Sequence, residues 1–249
     1  MKNESNWRPS KYIQRGYRLI ASRDVNEVGV ASRLVADLVA SRYAVYLPKF
    51  ARGGLVDLGC GKAPLYATYR PYVDSVTCVD WGNSVHASPY LDVQTSLSER
   101  LPFDDGQFDT ILLSDVLEHI ADPSLLWDEM ARIVAPGGHV ILNVPFLYCI
   151  HESPHDYYRY TSFALKRFAE LRGMVATVLE PIGGGPEVLA DTLAKHLQFL
   201  PMLGTPLARA VQTLVVWFGK TGPGRRVAQR SGLVMPLGYF MVAQKPNSA

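Results

Sequence analysis

The sequence predicts an α/β protein built on a Rossmann-like, doubly wound parallel sheet. Three observations predict it. Short apolar runs alternate with segments of helical period through the middle of the chain, the pattern that yields right-handed βαβ units. The first of those runs, Leu55 to Leu58, is followed at once by Gly59 and Gly61, where missing side chains let the backbone approach a ligand closely. Asp80 ends the next run roughly 20 residues on, the spacing at which such sheets place a carboxylate for ribose hydroxyls.

Residues 1–33 are rich in Lys and Arg (Lys2, Arg8, Lys11, Arg15, Arg18, Arg23, Arg33), a solvated arm or helix face, or a cap facing an anionic acceptor. Apolar residues then recur at helical spacing from Val25 to Leu47. Gly53-Gly54 breaks that pattern, and Leu55 to Leu58 reads as a first, buried strand. Val76 to Val79 is a second strand, a weak third lies near Tyr90 to Val93, and Thr110 to Leu113 is a fourth ending at Ser114-Asp115. A helix from Pro123 to Val134 has Asp122 as its expected N-cap and proline at its first position. Pro136-Gly137-Gly138 is a turn before a fifth strand, His139 to Val144. A helix over Thr161 to Leu171 stops at Gly173, and Val175 to Leu179 is a sixth strand. Gly183-Gly184-Gly185 opens a long insert, and Gly238 to Ala243 is a seventh strand. The expected organisation is one domain: a helical N-terminal cap (1–50), a ligand-binding core (51–182), a helical insert (183–236), and a last strand with tail (237–249).

With 249 residues, 48% of them hydrophobic, the chain can fill one large core. A net charge of +2 is too small to argue for nucleic acid, and none is expected as a partner. Cys60, Cys78 and Cys149 form neither a disulfide ladder nor a zinc pattern, which fits a reducing compartment. The opening MKNESNWRPSKY has no apolar stretch of the kind that directs export, so a cytoplasmic protein is expected.

The glycine turn separates two ligand classes. A dinucleotide site wants a third glycine so that pyrophosphate rests on a helix N-terminus, whereas Gly61 is followed by Lys62-Ala63-Pro64. Asp57 precedes the turn; an anion there repels pyrophosphate and suits a sulfonium ligand carrying an ammonium group. S-adenosylmethionine is favoured over NAD on that ground.

Val56 to Leu65, VDLGCGKAPL, resembles motif I of the class I S-adenosylmethionine-dependent methyltransferases. Leu101 to Phe146 is similar to their type 11 subgroup, in the LPFDDGQFD lead into the fourth strand, the LEH segment and the PGG turn. The resemblance implies a seven-stranded sheet with its last strand antiparallel. It implies that Asp57, Gly59 and Gly61 hold the methionine moiety, Asp80 the ribose and Ser114 the methionine end, with Trp81 against the adenine. Two positions depart from the family: Ala63 stands where glycine is usual, and Ser96 stands nearest the place of an acidic residue that meets the adenine amino group.

The acceptor end offers His119, just after the fourth strand, as a general base working near neutrality, or as a histidine that shapes its loop. After the fifth strand comes HESPHDYYRY, His151 to Tyr160. Its His151 to His155 matches HExxH in form, but Pro154 denies the helix that a zinc pair needs, so no metal is expected. His155 with Asp156 reads as a base and its orienter; His151, Tyr157, Tyr158 and Arg159 read as acceptor-binding groups, with Arg159 able to fork onto a carboxylate or phosphate. The competing reading is a polar network that pins the loop. Similar segments occur in bacterial type 11 methyltransferases associated with glycan synthesis, which implies a small hydroxylated or sugar-containing acceptor.

Within the insert, Glu187 to Phe199 and Pro206 to Phe218 read as helices, followed by Arg225, Arg226 and Arg230. A lid or plain packing, a homodimer face, and peripheral contact with an anionic membrane or a lipid-linked acceptor all fit that pattern. The leading function is O-methylation of a hydroxylated acceptor. Carbon methylation of a lipid or quinone, and a non-catalytic cofactor-binding module, are the alternatives.

Overall fold

The computed structural model describes residues 1–82 and 89–247. Its centre is a seven-stranded sheet made of β3 (Gly54–Leu58), β4 (Ser75–Asp80), β5 (Val93–Gln94), β6 (Phe108–Ser114), β7 (Val134–Pro145), β8 (Val175–Ile182) and β9 (Gly238–Gln244). The strand order is β5-β4-β3-β6-β7-β9-β8. Strands β5, β4, β3, β6 and β7 run parallel, whereas β9 lies between β7 and β8 and is antiparallel to both. This is the doubly wound sheet with an antiparallel last strand that the sequence leads one to expect. The order reverses direction at β3, so a crevice opens beyond the carboxyl ends of β3 and β6.

The apolar runs are strands because both faces of the sheet are covered. Along β3, Leu55 belongs to one core cluster while Val56 and Leu58 belong to the other, the period of two expected of a strand. The first cluster packs under α1 (Arg33–Phe50) and a short helix, α2 (Tyr66–Tyr69). The second packs under α3 (Pro123–Ile133) and α4 (Ser162–Glu170), where Trp127 is fully buried and stacked on Phe168 at 6.0 Å. Both of these helices start on a side-chain cap: Asp122 accepts from the Ser124 N–H at 3.1 Å, and Thr161 from the Ala164 N–H at 3.2 Å.

Three features differ from the expected elements. The N-terminal arm is a β-hairpin, β1 (Tyr12–Arg15) and β2 (Arg18–Ala21), turning at Gly16 with φ +59°. It is tied to α1 by the Ala21 N–H, which donates to Asp37 Oδ1 at 2.7 Å. Second, β7 begins at Val134 and runs through Pro136-Gly137-Gly138, the pairing with β6 shifting register where a turn was expected. Third, the insert holds three helices, α5 (Gly185–Leu197), α6 (Gly204–Lys220) and α7 (Gly222–Gly232), the last carrying Arg225, Arg226 and Arg230. They pack on the α1 side, where buried Gln212 donates to the Val30 carbonyl at 2.9 Å. Among the described residues, no helix is long and apolar enough to cross a membrane.

Candidate functional site

The ends of β3, β4 and β6 surround a cavity of about 760 Å³. Strand order lays out its walls: Ser96 to Ser98 and Trp81 on the β4–β5 side, Gly59 to Gly61 in the middle, Ser114 and His119 on the β6 side. A smaller cavity of about 230 Å³ adjoins it, sharing Lys11, Glu27, Asp115 and Glu152, and reaching Glu118, Tyr148 and His151.

The central turn works because it is glycine. Gly59 has φ +72°, and a Cβ there would lie 2.6 Å from a Val116 methyl, so the position is closed to side chains. Gly61, also left-handed at φ +49°, donates its N–H to Asp80 Oδ2 at 2.9 Å, and the Trp81 N–H donates to Oδ1 at 2.8 Å. Two backbone donors thus fix the Asp80 carboxylate at the cavity wall. Trp81 meets His155 edge-on with ring centroids 5.1 Å apart. Ser96 lines the same wall and accepts from the Ser98 N–H. Asp92 lies off the cavity, where it accepts from the Cys78 N–H. On the β6 side Ser114 donates to Asn143 Oδ1 at 3.1 Å, and Tyr43 donates to that same oxygen at 2.6 Å.

Asp57 requires a correction. It is buried beneath the turn with Tyr69, whose hydroxyl donates to it at 3.2 Å, and it does not line the cavity. Burial lifts its carboxyl to about 7 against the Tyr69 hydrogen bond, with the Asp80 charge adding to the rise. Its carboxylate is therefore set back beneath the turn rather than presented to the cavity. The preference for a cation survives on other residues: the lining carries four carboxylates (Glu27, Asp80, Asp115, Glu152) against two lysines. Both lysines are paired, Lys11 with Asp115 at 2.6 Å and Lys62 with Glu27 at 2.7 Å. Lys11 comes from the unforeseen hairpin, which makes that element part of the cavity wall.

The loop after β7 is also rearranged relative to expectation. It is non-helical from His151 to Tyr160, as Pro154 requires, so no HExxH helix forms. Asp156 does not orient His155. Its side chain is buried under Arg159, accepts two guanidinium N–H groups at 2.6 and 2.8 Å, and accepts the His151 N–H at 2.9 Å. Arg159 holds that carboxyl well below the usual range. Arg159 also donates to the Cys149 and Tyr158 carbonyls. Neither it nor Asp156 lines either of these two cavities, and its guanidinium is engaged within the loop. Tyr158 donates to the Ala121 carbonyl at 2.9 Å and lies outside the linings too. Of the expected acceptor-side groups, His119, His155 and Tyr157 line the larger cavity and His151 the smaller. His155 Nδ1 sits 3.1 Å from the Tyr157 hydroxyl.

Glu118 is the residue that sequence reasoning passed over. Its backbone carbonyl accepts from the Tyr157 N–H, while its fully buried carboxylate sits between His119 and His151. Burial raises its pKa. The same neighbourhood raises that of His151, where burial pulls down but Glu118 and Asp156 outweigh it. The adjacent Glu-His pair was visible in LEH, but its convergence with His151 depends on two loops meeting. Neither cavity is lined by residues of α5, α6 or α7.

Comparison with known proteins agrees with this architecture. Residues 56–142 match the family model described as a methyltransferase domain. A ubiquinone biosynthesis O-methyltransferase of Psychrobacter cryohalolentis is 26% identical over 157 residues, 58% of this chain and 51% of that protein. The chain thus spans about half the length of the curated relatives it matches. Among solved structures, the complex of the Haloferax volcanii Trm112 methyltransferase activator with its putative methyltransferase aligns over 90% of this chain and 95% of that one. Its TM-score is 0.56 at 19% identity. An S-adenosylmethionine-dependent methyltransferase from Mesorhizobium loti aligns over 85% and 99%, with a TM-score of 0.54 at 14% identity. These likenesses establish the fold.

Proposed function

We propose that this chain, whose residues 56–142 match a methyltransferase-domain family model, is a class I, type 11 methyltransferase that moves the methyl group of S-adenosylmethionine to a hydroxyl of a small or sugar-containing acceptor. One observation carries the reading: a glycine turn closed to side chains lies beside a carboxylate fixed by two backbone N–H groups, in a cavity richer in carboxylates than in lysines. That combination suits a nucleoside with a cationic tail. In this reading Asp80 takes the ribose, Trp81 and Ser96 border the adenine, Gly59 and Gly61 let the methionyl chain lie on backbone, and Ser114 is at its reacting end.

The bound sulfonium supplies the driving force for transfer. The chain's own residues orient the acceptor, exclude water and ease the loss of its proton. Activation of the acceptor hydroxyl falls to the Glu118, His119 and His151 cluster between the cavities rather than to His155, whose ring is packed on Trp81 beside Tyr157. Asp57 acts from below through the turn, and Asp156 with Arg159 acts by fixing the loop. The whole chain is read as one unit, with α5 to α7 as an element packed beside α1.

Oxygen is favoured over carbon as the methylated atom, because several curated relatives, that of Psychrobacter cryohalolentis among them, are named O-methyltransferases. On that ground a phenolic intermediate of ubiquinone biosynthesis is worth testing as an acceptor beside sugars. Incubation with methyl-labelled S-adenosylmethionine and panels of phenolic and glycosidic alcohols, with mass spectrometry of products, tests the reading. Label in a methyl ether supports it; label on carbon, or S-adenosylmethionine binding without transfer to any panel or cell extract, refutes it.

A further inference from the structure

We propose that Glu118, His119 and His151 form a binding site for a divalent transition-metal cation, of the zinc or manganese class, at the junction of the two cavities. Their ligand atoms all lie within 4.8 Å of one another. His151 Nε2 is 3.6 Å and His119 Nε2 3.8 Å from Glu118 Oε1. Those separations are too long for hydrogen bonds. They lie at, or a few tenths of an ångström beyond, the roughly 3.3–3.6 Å that donors show across a tetrahedral ion with bonds of about 2.0–2.2 Å.

Unmet valence points the same way. Glu118 is fully buried, and neither of its carboxylate oxygens has a hydrogen-bond partner among the described residues; nor does His119 Nε2. A buried carboxylate left so costs several kcal/mol, on the order of a lost charged hydrogen bond or more. The outer nitrogens, by contrast, are occupied. His119 Nδ1 is 2.8 Å from the His155 carbonyl, and His151 Nδ1 is 3.3 Å from the Cys149 carbonyl and 3.4 Å from Asp156 Oδ2. A carbonyl accepts only, so Nδ1 carries the proton in both rings. The two Nε2 lone pairs then face inward on a carboxylate, with no donor between them. A cation resolves this, and an outer N–H held by a carbonyl or carboxylate is the usual support of a histidine that binds metal.

The site is open on the acceptor side. His119 lines the larger cavity, Glu118 and His151 the smaller, and three protein ligands leave at least one position for an oxygen from outside. This role rests on the methyl-transfer reading: a coordinated acceptor hydroxyl gives up its proton to water more readily. Its oxygen then bonds to the methyl carbon as the C–S bond breaks, the bonding pair returning to sulfur. Cation binding itself does not depend on that reading.

The test uses the full chain, stripped with chelator and dialysed, titrated with Zn²⁺ and with Mn²⁺ by calorimetry, with bound metal counted by plasma mass spectrometry. One equivalent per chain is expected, with affinity lower by at least about tenfold in His151→Ala and in Glu118→Gln, which keeps the buried volume. Circular dichroism of both variants verifies folding. No uptake by the wild type, or equal uptake by both folded variants, overturns the site in favour of an imidazolium–carboxylate pair. Calorimetry with S-adenosylmethionine separates the two ideas. Cofactor binding without cation uptake refutes this inference alone, and cation uptake without cofactor binding refutes the methyl-transfer reading alone.

Discussion

Asp57→Asn should stabilise the ligand-free protein, and by an amount that depends on pH. Burial lifts the Asp57 carboxyl from an ordinary 3.8 to about 7. The folded chain thus holds that proton more tightly than the unfolded chain. Stability linked to it is fully present below about pH 4 and is lost as pH rises through 7. At about 1.4 kcal/mol per tenfold change in proton affinity, ionising Asp57 costs the fold on the order of 4 kcal/mol at pH 8 and under about 2 kcal/mol at pH 5. Asparagine keeps an acceptor for the Tyr69 hydroxyl, which now sits 3.2 Å from the carboxylate, and it never ionises. Urea denaturation of wild type and variant at pH 5, 6, 7 and 8, without S-adenosylmethionine, should show a gain that grows with pH. A gain that is flat with pH, or a loss at pH 8, refutes the assignment of a buried, reluctant carboxylate beneath the turn.

Gly59→Val combines a left-handed backbone with a Cβ 2.6 Å from Val116. It should abolish S-adenosylmethionine binding in calorimetry and cost about 1–3 kcal/mol in a denaturant melt. Asp156→Asn weakens the Arg159 clamp, so amide hydrogen exchange across residues 149–160 should quicken while exchange in β3 and β6 stays unchanged. Trp127→Ala opens a void in the second core and should cost about 3–5 kcal/mol by urea denaturation.

Much of the fold was legible because this sheet is covered on both faces, which makes its strands short apolar runs that stand out between helices. The glycines and Asp80 were legible for a related reason: the close approach of backbone at a strand end leaves few residue choices. The hairpin was not legible. Of β1 only Tyr12 is buried, with Ile13 half-buried and Gln14 and Arg15 exposed, so four-residue strands gave no period to read. Asp57 was misplaced despite an available signal, since the alternation that puts Val56 and Leu58 on one face puts Asp57 with Leu55 on the other. The spacing of Asp156 and Arg159 likewise permitted a local pair, which takes both away from the acceptor. The meeting of Glu118 and His119 with His151 is tertiary: it is set by the Tyr157 N–H bonding the Glu118 carbonyl, and no local pattern encodes it.

The glycine turn and Asp80 are proposed to bind S-adenosylmethionine. Isothermal titration of the wild type and of Asp80→Ala tests this most directly. One site per wild-type chain, weakened at least about tenfold in the variant by loss of a charged hydrogen-bond acceptor, is predicted. Absence of binding to the wild type, or equal affinity in the folded variant, contradicts it.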